Sequence, residues 1–212
     1  MSNKFVPNFA AFRLYEDGTE SGSTPIEAQD TDTTARDLSS DSEVHLRVRI
    51  DETGDGSIAG ETTDDWKLSY RLNGGGAWVD ITTTSNRVQV STVSSLTDGN
   101  ATTDRSTNGI SAGTGSFFAG IQVATTDNEI TNFQHEADNH TEHVFALTLV
   151  SADMTDADAL TFRVELNGSP INSGVTPSIT VSVTSTSPIQ SQQPEPITFS
   201  IPASTKLTAR RA

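Results

Sequence analysis

In Val44-His45-Leu46-Arg47-Val48-Arg49-Ile50, aliphatic and polar side chains alternate without interruption. Successive side chains of an extended chain point to opposite faces, so this period gathers the four aliphatic residues on one side and His45, Arg47 and Arg49 on the other; a helix would scatter both sets around its axis. The segment predicts a strand with one buried and one solvent-facing side. The pattern returns at Trp66, Leu68, Tyr70 and Leu72, with Lys67, Ser69 and Arg71 between them. It breaks at Asn73-Gly74-Gly75-Gly76 and resumes in Ala77-Trp78-Val79-Asp80-Ile81. Glycines supply the positive φ of a tight reversal, which predicts a hairpin. Leu160, Phe162, Val164 and Leu166 alternate in the same way before a second turn at Asn167-Gly168.

Further strands are expected at residues 9–15, 87–92, 116–124, 142–150, 160–166 and 178–183. Helical periodicity never exceeds two turns, and residues 151–158 (Ser-Ala-Asp-Met-Thr-Asp-Ala-Asp) predict a short capped turn between strands. About nine strands joined by turns read as an all-β fold, an antiparallel β-sandwich of immunoglobulin-like or jelly-roll-like kind with extended N- and C-terminal arms. Hydrophobic residues make up only 33% of the 212, and roughly a quarter are Ser or Thr, which suits short strands around a thin core in one principal domain. The expected division is an N-terminal arm over residues 1–8, a sandwich over 9–183 and an assembly arm over 184–212. Within the sandwich, residues 82–115 are rich in Thr, Ser, Asn and Gly and are expected as long exposed loops or a protruding arm around a weak strand. From Thr184 the composition is that of an extended linker. Beyond it stand Ile197, Phe199, Ile201 and Leu207 with Lys206, Arg210 and Arg211. These seven residues are the expected assembly contacts, the apolar ones adding a strand to a neighbour's sheet edge and the cations pairing with carboxylates.

The formal charge of −15 opposes a nucleic-acid partner, because phosphate binding needs clustered cations. The same acidity keeps a protein soluble at high local density, as in a surface coat. With no cysteine, neither a disulfide framework nor a thiolate zinc site is available. Met1-Ser2-Asn3-Lys4-Phe5-Val6-Pro7 lacks the apolar stretch of a signal peptide, and no run approaches the ~20 apolar residues of a membrane span, so a soluble product of a cytoplasm with no membrane partner is expected. The sequons at Asn100, Asn139 and Asn167 are accordingly read as chance.

Four motifs have a chemical reading and a plainer one. Gly109-Ile110-Ser111-Ala112-Gly113 fits the pattern of a nucleophile elbow, but neither flank supplies the strand and helix that such a serine needs, so a loop is expected and a hydrolase is not. His135, His140 and His143 lack the spacing of a helical zinc site; His140, Glu142 and His143 are read as solvated residues entering a strand, with a loose metal site as the alternative. Asp51-Glu52-Thr53-Gly54-Asp55-Gly56 resembles half of a calcium loop, but Thr62 occupies the position of the bidentate Glu, although Glu61, Asp64 and Asp65 lie close by. Trp66, Tyr70 and Trp78 are read as sandwich core in preference to a sugar-stacking platform. No cofactor or metal is expected.

Three stretches taken together resemble a known family: residues 15–24 (Tyr-Glu-Asp-Gly-Thr-Glu-Ser-Gly-Ser-Thr) with 27–31 (Glu-Ala-Gln-Asp-Thr), residues 64–78 from Asp64-Asp65-Trp66 to Ala77-Trp78, and residues 141–153 from Thr141-Glu142-His143 to Ser151-Ala152-Asp153. They are similar to β-sandwich proteins encoded among the structural genes of tailed bacteriophages, with the likeness covering roughly residues 9–183. The resemblance implies a virion component and carries no functional residue across. The expectation is a non-enzymatic capsid decoration, or cement, protein on the outer head surface, made in the host bacterial cytoplasm, whose partners are the major capsid protein and further copies of itself. The alternative is a head or tail fibre whose 82–115 loops bind a host glycan.

Overall fold

The computed structural model describes residues 4–54, 56–57, 65–106 and 109–183, and there the chain is nearly all β. The expected strand at 44–50 forms the middle of β3 (Ser42–Glu52). Antiparallel neighbours β1 (Pro7–Glu16) and β9 (Asn139–Leu149) flank it, so that Leu46 stands opposite Leu14 and Phe145, and Val48 opposite Phe12 and His143. A two-residue strand, β12 (Asn172–Ser173), lies outside β1, while β6 (Val88–Val90) and β7 (Ser116–Val123) both pair with β9. The second sheet is built on β4 (Asp65–Leu72) against β10 (Ala159–Leu166). On β4 lie β5 (Val79–Asp80) and β8 (Glu129–Thr131); on β10 lie β11 (Ser169–Pro170) and β13 (Ser178–Ser182), with β2 (Thr33–Asp37) outside β13.

Both sheets feed one apolar cluster. The first contributes Phe12, Leu14, Val44, Leu46, Val48, Phe145 and Leu147, and the second Trp66, Leu68, Tyr70, Leu160, Phe162 and Val164. The two-residue period thus finds its buried face in β3, β4 and β10. Arg36 of β2 adds a tie between the sheets, its guanidinium gripping Glu16 of β1 at 2.6 and 2.7 Å. The expected turns also form with left-handed residues, Asn73, Gly74 and Gly76 in one and Asn167 and Gly168 in the other.

Several expectations are corrected. The sheets are mixed, because β1–β12, β7–β9 and β2–β13 run parallel. For β7 and β9 the cause is visible in the path: after Val123 the chain crosses to the second sheet to make β8, then re-enters the first in the original direction. The weak strand at 87–92 shrinks to Val88–Val90, and β2, β8, β11 and β12 are too short to show a period. The turn after β9 is one 3-10 turn, Ser151–Asp153, held by Asp41, which accepts from the Ser151 amide and hydroxyl. Residues 4–6 do not stand clear of the body: Phe5 packs edge-on against Trp66 and His135, and the Val6 amide donates to Glu52 at 3.0 Å.

Candidate functional site

The largest departure from the sequence reading lies on the outer face of the first sheet. His45, Arg47 and Arg49 occupy the face opposite the apolar cluster, yet they are 1%, 1% and 9% exposed. The expected wet face is covered. What covers it is residues 17–29 together with 91–106 and 109–114, the latter two falling inside the stretch expected as exposed loops. Leu96, Thr102 and Ile110 from that stretch are buried, and Leu96 forms a small second apolar cluster with Ala124, Val144 and Ala146.

Arginines stitch this coat down. Arg47 donates through Nε to Glu142 at 2.5 Å, through Nη1 to Glu20 at 2.6 Å and through Nη2 to the Thr103 carbonyl. Arg49 chelates Asp51 and reaches the Ser111 carbonyl at 2.6 Å. Arg13 holds the carbonyls of Glu27 and Gly109, and Arg105 holds those of Glu20 and Ser23 while lying over the Tyr15 ring. A buried guanidinium is tolerated when all its donors find acceptors, and loop carbonyls provide acceptors without adding charge. Thr102 locks the other side: its hydroxyl donates to the Glu142 carbonyl and accepts from the Gly120 amide. A Cβ on Gly120 would sit 2.1 Å from that carbonyl, so the close approach of β7 to β9 requires glycine.

The ionisable groups respond to this burial. Desolvation raises the Glu142 carboxyl above its ordinary value despite the Arg47 guanidinium beside it, and burial likewise raises the Tyr15 hydroxyl. Burial alone would also raise Glu20 and Asp17, but hydrogen bonds outweigh it and lower both, from Arg47 and Thr103 in Glu20 and from Ser95 and His45 in Asp17. Desolvation holds His45 below its usual value, only partly offset by Asp17, which lies 3.0 Å from its Nε2.

The histidines are all buried, which corrects their reading as solvated residues. His140 and Glu142 sit on the coated face of β9, whereas His143 points into the core against Phe133, with ring centres 4.7 Å apart. Its Nδ1 accepts from the Ile121 amide, and burial depresses it to about 3. Alternation along β9 therefore separates the three residues weighed as a metal set, and among the described residues no cluster of three or more His, Asp or Glu side chains is arranged to hold a metal ion. Asp51 is engaged by Arg49, and Glu52 accepts from the amides of Val6 and Gly54; Asp55, Glu61 and Asp64 lie outside the described residues. Ser111 belongs to the coat, its hydroxyl accepting from Arg49 and its amide donating to Gln29. Trp66 and Tyr70 are core, but Trp78 is only half-buried on the open hairpin with the guanidiniums of Arg71 and Arg163 stacked on it at 4.8 and 4.3 Å. The reason is its position past the glycine turn, beyond the last core residue of β4. The seven tail residues, Ile197, Phe199, Ile201, Lys206, Leu207, Arg210 and Arg211, lie outside the described residues.

The polar layer was foreshadowed by one signal. Leu96 and Ile110, isolated apolar residues in a polar stretch, have no reason to be there unless that stretch lies on something. Compared with known protein families the sequence matches none, and no curated protein matches it.

Proposed function

We propose that the chain is a structural virion protein of a tailed bacteriophage, a capsid decoration protein whose two sheets form a β-sandwich body and whose output is binding, not catalysis. One observation supports this reading most. Arg13, Arg47, Arg49 and Arg105 spend their charge inward on the coat, beside the buried carboxylates of Asp51 and Glu142, so the exterior of a chain at −15 stays acidic. An acidic shell repels its neighbours except through dedicated contacts, which suits a protein displayed at high density on a particle surface. The dedicated contact in this reading is the 184–212 arm, with Ile197, Phe199 and Ile201 adding to a sheet edge and Lys206, Arg210 and Arg211 pairing with carboxylates of the major capsid protein or of another copy.

Cryo-EM of the intact particle tests the reading. It expects an all-β body on the outer head surface with its C-terminal residues running into the capsid; a position on the tail or a fibre, or absence from the particle, contradicts it.

A further inference from the structure

Where the chain passes from β11 in the second sheet to β12 in the first, a groove of about 250 Å³ opens between Phe5, Val6 and Pro7 on one side and Leu166, Pro170 and Ile171 on the other. Its walls mix these apolar side chains with Lys4, Ser169 and Asn172, and they include Phe5, which packs on Trp66 at the edge of the core. The tail carries the matching pattern. Ile197, Phe199 and Ile201 alternate with Thr198 and Ser200, so an extended segment presents three large apolar side chains on one face. We propose that this groove is the docking site for the same chain's residues 197–201.

Reach and charge favour the chain's own tail as the occupant. The tail departs after Val183, beside the Asp158 end of β10, since the Val181 amide donates to the Asp158 carbonyl. The groove lies at the Leu166 end of that strand, which eight residues place roughly 25 Å away. The thirteen residues 184–196 span up to about 45 Å when extended, enough to arrive without strain. Beyond the apolar segment the tail ends in cations. With Lys206, Arg210 and Arg211 against Glu195, residues 184–212 are net +2, which leaves −17 on residues 1–183. A basic tail tethered to an acidic body meets that body at a high effective concentration. The inference deepens the arm reading and rests on it for its purpose: the docked segment is how a free subunit stores the arm it later offers to a capsid.

The chain has no cysteine, so a disulfide trap in the full-length protein has no background. Ile171→Cys with Phe199→Cys is compared with Val93→Cys and Phe199→Cys, Val93 being 74% exposed just beyond β6, at the opposite edge of the first sheet from β12. Under mild oxidation in dilute solution the groove pair is expected to close an intramolecular disulfide at least about ten-fold faster than the control. Cross-linked dimers in its place would assign the groove to a second copy's tail, and equal rates would leave the groove unvisited; either overturns the proposal. A second arm avoids new thiols. In full-length Phe199→Asp, the Ile171 amide, bonded to the Val164 carbonyl, should exchange its hydrogen faster than in the unaltered chain, and unchanged exchange contradicts docking. Neither arm involves a capsid, so their failure is separate from failure of the decoration reading.

Discussion

The strands β3 and β4 carry nearly the same message in sequence, and the fold treats the cations of their outer faces differently. In β3, His45, Arg47 and Arg49 alternate with aliphatic residues and end almost inaccessible beneath the coat; in β4, Lys67 and Arg71 alternate with core residues and remain partly exposed. Arg47 answers two carboxylates and a loop carbonyl, whereas Lys67, among the described residues, pairs with Asp80, whose side chain is 60% exposed. A two-residue period identifies which face is apolar. Whether the other face meets water depends on segments far away in the chain, here those bearing Thr103 and Ser111.

The strongest way to break the comparison is at equivalent cations. Arg47→Ala strands Glu142 as a buried unpaired carboxylate and should cost ~3–5 kcal/mol in urea unfolding, about as much as Trp66→Ala or Phe162→Ala in the shared core. Arg71→Ala, which loses a stack on Trp78, should cost only ~0.5–1 kcal/mol. Equal losses at Arg47 and Arg71 would mean that the coat confers no special burial.

Acidification should act through the first sheet and its approaches, because His45 lies on β3, His140 and His143 on β9, and His135 just before β9. His143, depressed to about 3, stays neutral in the folded chain while its unfolded counterpart protonates near pH 6.5. The unfolded state therefore binds the extra proton, and this stabilisation is lost as pH falls from about 6.5 toward 3. His45 and His135, also lowered by burial, act with the same sign, and the lowered carboxylates of Asp17 and Glu20 extend the loss below about pH 4.5. Glu142, being raised, works oppositely: its contribution is present at low pH and fades as pH rises through its folded value. Melting temperature should fall between pH 7 and pH 4, and His143→Gln should flatten that slope; an unchanged slope contradicts a buried neutral His143.

The smallest effect belongs to Lys67→Ala, ~0–1 kcal/mol, for its ion pair is open to solvent. Salt at 0.5 M should erase even that difference, since the screening length is then roughly 4–5 Å, while leaving the cost of Arg47→Ala nearly unchanged.

The nearly all-β character and much of the core were readable because alternation in β3, β4 and β10 fixes the inward residues locally. The parallel pairs were not, since each depends on a crossover through the other sheet, and strands as short as β8 or β12 carry no period of their own. The coat escaped for a related reason. Ser, Thr and Gly in residues 91–106 and 109–114 read as loop, and loop they are, but carbonyls among them serve as acceptors for arginines that local pattern assigns to water. Trp78 errs the other way: its type argues for core, and its place beyond a glycine turn puts it on the open hairpin.

Native-state hydrogen exchange tests the covered face most directly. The amides of Gly99, Thr102, Thr103 and Ser111 donate to Gln122, Gly120, Glu20 and Gln29 respectively, and a coat fixed to the sheet predicts that they open only with β3 and β9, at protection close to that of the global unfolding reaction. The Gly75 amide in the open hairpin should exchange orders of magnitude faster. If the four coat amides exchange at the rate of Gly75, the segment lies free in solution, and the claim that loops bury the cationic face of β3 is wrong.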